Sequence, residues 1–277
     1  MRNILLIFIS VLLISCSNEE DENVSGSAFM LCGDDKNKEI CDLAHDGAMC
    51  SRQRADAIRN LVIQRSKKSV KNGYAALTVL DTYKACLDNA VLAQSAIRKS
   101  DEVSRYFAIA NISKYQNKIV RETKGVRPEI NLWLYKKTGN PDNWESMVNG
   151  VEMAESVHRD VYTVMMAKAA NSSMQEAKKI ADLILSGTEF LNDLPPEVFE
   201  FYVLYYLKAG ADFKSAVWHG LYAEYVKNNP GINIQYFKSH RKMNNTKLKE
   251  AQDLVDSIVF DTDWMGLKIS NLEKVIV

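Results

Sequence analysis

Hydrophobic side chains recur at the spacing of an α-helix along most of this 277-residue chain. Residues 56–68 and 73–97 each carry a broad apolar face of this kind, and a third begins after Ser100-Asp101, a pair suited to cap a helix. Pro128 ends that third stretch and can begin another helix. Alternating β-branched runs joined by Asn-Gly or Asp-Gly turns, which are typical of strands, are nearly absent. The pattern predicts an all-α fold.

Two segments that lie forty residues apart share a pattern. Residues 162–170 align with residues 202–210, so that Tyr162 matches Tyr202, and a polar break and a second helical pattern follow each segment. Two helices in each forty-residue period are typical of a helical solenoid. We therefore predict an array of helical hairpins in which Tyr162 and Tyr202 are both buried. Chance similarity between two amphipathic helices is the alternative.

The second of these copies resembles a degenerate tetratricopeptide unit. The resemblance implies core, turn and small-residue positions at Phe199, Tyr202, Tyr206, Gly210, Ala216 and Ala223. The copy departs from the family pattern by one inserted residue, Ala211, and by Gly220, where a bulky residue is usual. The fold expected for the C-terminal half is accordingly a tetratricopeptide-like solenoid.

The first thirty residues have the features of an export signal. A cationic start at Arg2 precedes an apolar run from Ile4 to Ile14, and Ser15-Cys16 follow. The run is shorter than the roughly 20 residues of a membrane-spanning helix. Residues 1–15 are predicted to form a signal peptide, and the acidic segment 16–31 a flexible tether.

The segment Leu13-Ile14-Ser15-Cys16 resembles the lipobox of bacterial lipoproteins. The resemblance implies cleavage before Cys16 and attachment of lipid to this cysteine, which would hold the protein on a membrane facing the periplasm. The next residue, Ser17, is not the aspartate that retains enteric lipoproteins in the inner membrane, and this favours the outer membrane. An ordinary signal followed by a stray cysteine is the alternative.

Four further cysteines, Cys32, Cys41, Cys50 and Cys86, follow the predicted signal. An even number in an exported chain indicates two disulfides, and four cysteines allow three pairings. Locality favours Cys32–Cys41 with Cys50–Cys86. The alternative is a zinc site that includes His45, although the cysteine spacing matches no C-x2–4-C pattern.

The cysteine region resembles an uncharacterised family of gammaproteobacterial lipoproteins, known as a domain of unknown function. The likeness covers residues 32–86, and it implies a lipoprotein with disulfides without implying any activity. The residues that carry it are Cys41-Asp42-Leu43, Asp46, Cys50, Arg52, Arg54 and Tyr83-Lys84-Ala85-Cys86.

Composition and length limit the partners and the domain organisation. Lysine and arginine together number 35, as do aspartate and glutamate, so nothing favours a nucleic-acid partner, which normally requires a basic face. Hydrophobic residues make up 47% and charged residues 25% of the chain, which is ordinary for a globular protein. We expect a disulfide-stapled helical region over 32–130 and a repeat-like region over 131–277, or one continuous domain.

No catalytic, cofactor or metal site is predicted. The chain has no G-x-S-x-G, H-E-x-x-H, P-loop or Rossmann glycine pattern. Asp261 and Asp263 fit caps of a last helix near Trp264 better than paired catalytic acids. The histidines are scattered and adjoin no nucleophile motif; they are His45, His158, His219 and His240.

Nine aromatic residues lie at positions 199–225. Most of them are expected in the core between helices. Phe201 and Tyr205 are one helical turn apart. They lie off the face formed by Phe199, Tyr202 and Tyr206, since successive residues in a helix rotate by about 100°. Phe201 and Tyr205 are therefore the candidates for an open binding surface, since aromatic residues are common at protein contacts. Packing of these two residues in the core is the alternative.

The function expected from these patterns is a non-enzymatic scaffold on a lipid anchor, which binds a protein or peptide of the cell envelope. One alternative is an envelope enzyme or cofactor that acts in peptidoglycan metabolism. Another is a purely structural lipoprotein. A deep cleft with converging titratable groups would favour the enzyme, and a shallow aromatic and polar groove would favour the scaffold.

Overall fold

The computed structural model describes residues 28–42, 50–93, 99–123, 125–228 and 245–260. Within these ranges the chain forms helices and turns with no β-strand, which confirms the all-α prediction. The predicted signal, Cys16 and most of the predicted tether lie outside the described residues. So do His45, His240, Asp261, Asp263 and Trp264.

The chain divides into two compact units, residues 1–123 and residues 124–277. The boundary between these units lies seven residues before the predicted boundary after residue 130. The structural boundary falls just before two local features that interrupt a helix: Gly125 has a φ of +89°, and Pro128 begins the next helix at its first position.

The described helices of the first unit are α1 (Ala28–Cys32), α2 (Lys38–Cys41), α3 (Ser51–Ser66), α4 (Val70–Ala93) and α5 (Lys99–Glu122). Helices α3 and α4 pack as a pair, and α5 packs on α4. The core is formed by large apolar side chains at helical spacing, which include Leu61, Leu77, Leu80, Leu87, Ile112 and Ile119.

Two disulfides hold this unit together. Cys32–Cys41 links α1 to α2, and Cys50–Cys86 links the residue before α3 to α4. This is the pairing that locality favoured, so that prediction is confirmed. The sulfurs are bonded to each other and therefore cannot serve as thiolate ligands, which makes the zinc alternative wrong.

The described helices of the second unit are α6 (Pro128–Thr138), α7 (Pro141–Val151), α8 (Arg159–Ala169), α9 (Met174–Ser186), α10 (Pro196–Lys208), α11 (Asp212–Asn228) and α12 (Asn245–Phe260). They pack as the pairs α6–α7, α8–α9 and α10–α11, and α12 packs on α11. The two hairpins predicted forty residues apart are α8–α9 and α10–α11.

Local signals in the sequence set the starts and turns of these helices. The Asn140 side chain accepts a hydrogen bond from the backbone N–H of Asp142 at 3.0 Å, and the Ser173 hydroxyl accepts one from Glu176 at 3.2 Å. Gly210, between α10 and α11, has a φ of +71°, a left-handed conformation that glycine adopts without strain.

Tyr162 and Tyr202 do not share the same degree of burial. Tyr202 is 2% exposed and stacks on Trp218 with ring centroids 4.3 Å apart, whereas Tyr162 is only half-buried and lines a cleft of about 300 Å³. Tyr162 is therefore less deeply buried than Tyr202, although it also packs against the core of the second unit. Forty residues before Trp218 stands Lys178, so the first copy lacks the aromatic partner that covers Tyr202.

The packing of α12 explains why glycine stands at position 220, where the tetratricopeptide pattern usually has a bulky residue. A Cβ atom at this position would lie 2.7 Å from Cγ2 of Val255, closer than non-bonded carbons approach. Val255 is buried and belongs to α12, which therefore packs directly against the backbone of α11 at this glycine. A bulky residue at position 220 would exclude α12.

We expect Gly220→Ala to lower the free energy of unfolding by about 1–3 kcal/mol, because the added methyl group overpacks this contact. Alanine normally stabilises a helix interior by roughly 1 kcal/mol relative to glycine, so the sign of the effect is diagnostic. The matched control is Gly150→Ala in α7, where the nearest side-chain atom would lie at an ordinary 3.4 Å. Chemical denaturation that finds Gly220→Ala as stable as the wild type would contradict this packing.

Candidate functional site

Phe201, one of the two predicted surface residues, is buried. It is 6% exposed, and its ring lies 5.6 Å from the ring of Tyr202 between centroids. Helix α10 packs on α11 and also on α8 and α9, so more than one of its faces is covered. The prediction that Phe201 lines an open surface is therefore wrong, because neighbouring helices cover the face of α10 that carries Phe201 as well as the face that carries Tyr202.

Tyr205, the other predicted residue, is partly exposed and held in place by its neighbours. Its ring stacks on Phe201 at 5.9 Å and meets Tyr206 edge-on at 5.3 Å between centroids. Its hydroxyl donates to Oε1 of Gln175 at 3.5 Å, and Nζ of Lys178 lies 5.8 Å from its ring centroid. A tyrosine in this setting has little side-chain entropy to lose when it binds a partner.

We define the Tyr205 face as the five side chains around this residue, contributed by α9, α10 and α11. It combines two partly exposed tyrosines with two lysines. Lys178 lies beside the ring of Tyr205, and Nζ of Lys214 lies 5.5 Å from the ring centroid of Tyr206. Its members are Gln175, Lys178, Tyr205, Tyr206 and Lys214.

A hydrogen-bonded chain links this face to the core. Nζ of Lys178 pairs with the Asp182 carboxylate at 2.7 Å, and Asp182 accepts a hydrogen bond from the Tyr202 hydroxyl at 2.6 Å. Burial raises the pKa of Tyr202, and the hydrogen bond to Asp182 raises it further. The phenol therefore stays protonated near neutral pH, and the chain holds Lys178 at a fixed place on the surface.

A second candidate site lies in the first unit, in a cleft of about 110 Å³ that sequence analysis missed. We call it the α3–α5 cleft. Its lining comes from three separated segments, so no motif in the linear sequence marks it. The lining residues are Glu39, Ile40, Leu61, Gln64, Arg65, Lys68, Tyr115, Lys118, Ile119 and Glu122.

The rim of the α3–α5 cleft carries charged groups. Nζ of Lys68 pairs with Glu122 at 2.7 Å, and this contact lowers the pKa of the Glu122 carboxyl. The Arg65 guanidinium donates to the backbone oxygen of Lys36 and to Oδ1 of Asn37.

The phenol at the floor of the cleft, that of Tyr115, has a raised pKa. Burial raises the pKa of Tyr115 to about 12, and the negative charge of Glu39 adds to the rise. The Tyr115 hydroxyl is therefore neutral over the whole physiological range. The titratable groups of the cleft lining are the carboxylates of Glu39 and Glu122, the cations of Arg65, Lys68 and Lys118, and the Tyr115 phenol.

Of the described histidines, His158 lies at the start of a helix. His158 caps α8 by accepting a hydrogen bond from the backbone N–H of Asp160 at 3.3 Å. Among the residues with described positions, no group of three or more His, Cys, Asp or Glu side chains is placed to hold a metal ion. In the same part of the chain, no helix is both long and apolar enough to span a membrane.

Comparison with known families gives one match. A family model described as "Protein of unknown function (DUF2989)" matches residues 13–218, which is well over half of the chain. No curated protein and no solved structure matches the chain. The matched range begins at Leu13, includes all the cysteines from Cys16 to Cys86, and ends within α11.

Proposed function

The chain belongs to the DUF2989 family, and we propose that it is a lipid-anchored protein of the bacterial cell envelope whose second unit binds an envelope protein or peptide without catalysing a reaction. Cys16 carries the lipid in this proposal, and the protein faces the periplasm. The Tyr205 face is the binding surface.

Two features support the anchor. The apolar run Ile4 to Ile14 leads directly into Ser15-Cys16, and the family match starts at Leu13, so the lipobox-like residues fall inside the range of the family. The disulfides Cys32–Cys41 and Cys50–Cys86 suit an oxidising compartment such as the periplasm.

The strength of such an anchor follows from the acyl chains. Each buried methylene contributes about 0.8 kcal/mol, so a cysteine with several long chains stays on its membrane almost permanently. Ser17 after the modified cysteine favours the outer membrane.

The observation that carries the binding role is the Tyr205 face. Tyrosine is enriched in protein contact surfaces because it supplies a large, rigid and partly polar ring. Lys178 and Lys214 lie beside the two rings of this face. Lys178 is paired with Asp182, but the two ammonium groups still present hydrogen-bond donors to acidic side chains of an extended segment. The partner class we propose is accordingly an acidic peptide segment of an envelope protein.

Site-specific photocrosslinking in the native envelope tests this role. A photoreactive residue at exposed Gln175, within 3.5 Å of the Tyr205 hydroxyl, should give a discrete adduct. Adding Tyr205→Ala should reduce the adduct at least ten-fold and leave the thermal midpoint nearly unchanged, because the ring is partly exposed. A photoreactive residue at exposed Lys136 on α6 should give no such adduct.

The matched control is Tyr135→Ala. Tyr135 is also partly exposed, packs on another aromatic ring, that of Trp144, at 5.4 Å, and lies 5.7 Å from Nζ of Lys168. It should leave the Gln175 adduct intact. If Tyr205→Ala keeps the adduct, or if Tyr135→Ala removes it equally, the Tyr205 face is not the binding surface.

A further inference from the structure

The floor of the α3–α5 cleft holds two buried polar atoms without a hydrogen-bond partner. Gln64 is 5% exposed and its Oε1 accepts no hydrogen bond. Tyr115 is 8% exposed, and its hydroxyl makes no hydrogen bond of normal geometry, although the Glu39 carboxylate lies near it. Such atoms are unfavourable in the folded state, and each one calls for an explanation. Both residues line one cleft, on α3 and on α5, which points to a shared ligand.

The rest of the floor is apolar and the cleft is roomy. Ile40, Leu61 and Ile119 are buried and line it beside the two polar atoms. Its volume of about 110 Å³ is several times the roughly 10–15 Å³ that one water molecule requires. A group of several heavy atoms with an apolar part therefore fits.

Two cations at the rim lack a carboxylate partner. The Arg65 guanidinium is bonded only to neutral oxygens, and Nζ of Lys118 lies 5.7 Å from the Tyr115 ring centroid without an ion pair. The third cation, Lys68, is already paired with Glu122. The cleft lining carries three cations, Arg65, Lys68 and Lys118, against the two carboxylates of Glu39 and Glu122, and this excess of positive charge favours an anionic group at the mouth of the cleft.

We propose that the α3–α5 cleft binds a ligand in which a secondary amide adjoins a carboxylate, as in an N-acylated amino acid or the C-terminal residue of a peptide. The amide N–H donates to Oε1 of Gln64, and the amide carbonyl accepts from the Tyr115 hydroxyl. The aliphatic carbons contact the apolar floor, and the carboxylate pairs with Arg65 and Lys118. Because a phenol hydroxyl can donate or accept, the two polar atoms also suit the amide in the reverse orientation.

The test is saturation-transfer NMR of N-acetylalanine with the full lipidated protein in detergent micelles. We expect saturable binding that weakens at least ten-fold for N-acetylalanine amide, which lacks the carboxylate, and for butyrate, which lacks the amide. Acetyl-trialanine distinguishes the two candidate sources of the ligand, a peptide C-terminus and a free N-acylated amino acid. Tighter binding than that of N-acetylalanine indicates a peptide C-terminus, and equal binding indicates the free acylated amino acid.

Three variants assign the contacts. Tyr115→Phe deletes one unpaired oxygen, so it should preserve or raise the thermal midpoint of the protein. The same variant should lower the affinity for N-acetylalanine at least ten-fold. Gln64→Leu should weaken it similarly. Lys118→Gln should weaken N-acetylalanine but not its amide, whereas the control Lys114→Gln, at an exposed position one turn earlier outside the cleft lining, should change neither.

The outcome that overturns the proposal is a wild-type protein with no saturable signal for N-acetylalanine, which would leave water as the occupant of the cleft. Unchanged affinity in a folded Tyr115→Phe variant overturns it equally. If Gln64→Leu does not fold, Tyr115→Phe decides alone, since it keeps the shape of the floor.

Discussion

Tyr202→Ala is expected to lower the free energy of unfolding by about 3–5 kcal/mol, as other large core truncations do. Tyr202 is almost completely buried, stacks on Trp218 at an interplanar angle of 14°, and contacts Phe201 edge-on. Its hydroxyl also donates to Asp182. Alanine would remove these ring contacts and leave a cavity between α10 and α11.

Tryptophan fluorescence during chemical denaturation measures this effect, because all four tryptophans follow residue 124 and so report on the second unit. Tyr202→Phe is the control: it keeps the ring and removes only the hydrogen bond, so it should cost about 1 kcal/mol. The threshold for Tyr202→Ala is a loss of about 1.5 kcal/mol of unfolding free energy, which is well under the expected loss of about 3–5 kcal/mol. A smaller loss than this, or equal losses for the two variants, would show that the ring stack does not stabilise this hairpin.

The double variant Cys50→Ala/Cys86→Ala is expected to lower the free energy of unfolding by about 4 kcal/mol. The bridge closes a loop with a sequence separation of 36, and the entropy it removes from the unfolded chain grows with loop length. Cys50 also has a φ of +63°, a left-handed conformation in which alanine keeps the backbone strain.

The matched control is Cys32→Ala/Cys41→Ala, whose bridge has a sequence separation of only 9 and should contribute about 2–3 kcal/mol. Denaturation followed by far-ultraviolet circular dichroism compares the two variants. If removing Cys32–Cys41 destabilises the protein more than removing Cys50–Cys86, loop closure does not explain how the first unit is held together.

The sequence predicts those parts of the fold that depend on neighbours along the chain. The turn residues Asn140 and Gly210 mark helix boundaries through their own backbone chemistry. The pairing of Cys32 with Cys41 follows from proximity in the sequence. No helix is predicted at α12, although Ala251, Val255 and Ile258 recur there at helical spacing and pack in the core of the second unit.

The parts that depend on distant contacts were not predictable in this way. The burial of Phe201 follows from the packing of α8 and α9 on α10, which no helical stripe reveals. The α3–α5 cleft joins residues as far apart as Glu39 and Glu122. A buried, unpaired atom such as Oε1 of Gln64 is visible only once its surroundings are known.

The lipid anchor proposed at Cys16 would place both the Tyr205 face and the α3–α5 cleft at a membrane.

Labelled palmitate, supplied to cells that express either the full-length protein or Cys16→Ser, tests this claim most directly. The account predicts that the wild-type protein incorporates the label and fractionates with membranes. Cys16→Ser should incorporate none and should no longer be retained on membranes, since the thioether to the lipid cannot form. A Cys16→Ser protein that still carries labelled palmitate and fractionates with membranes would contradict the account.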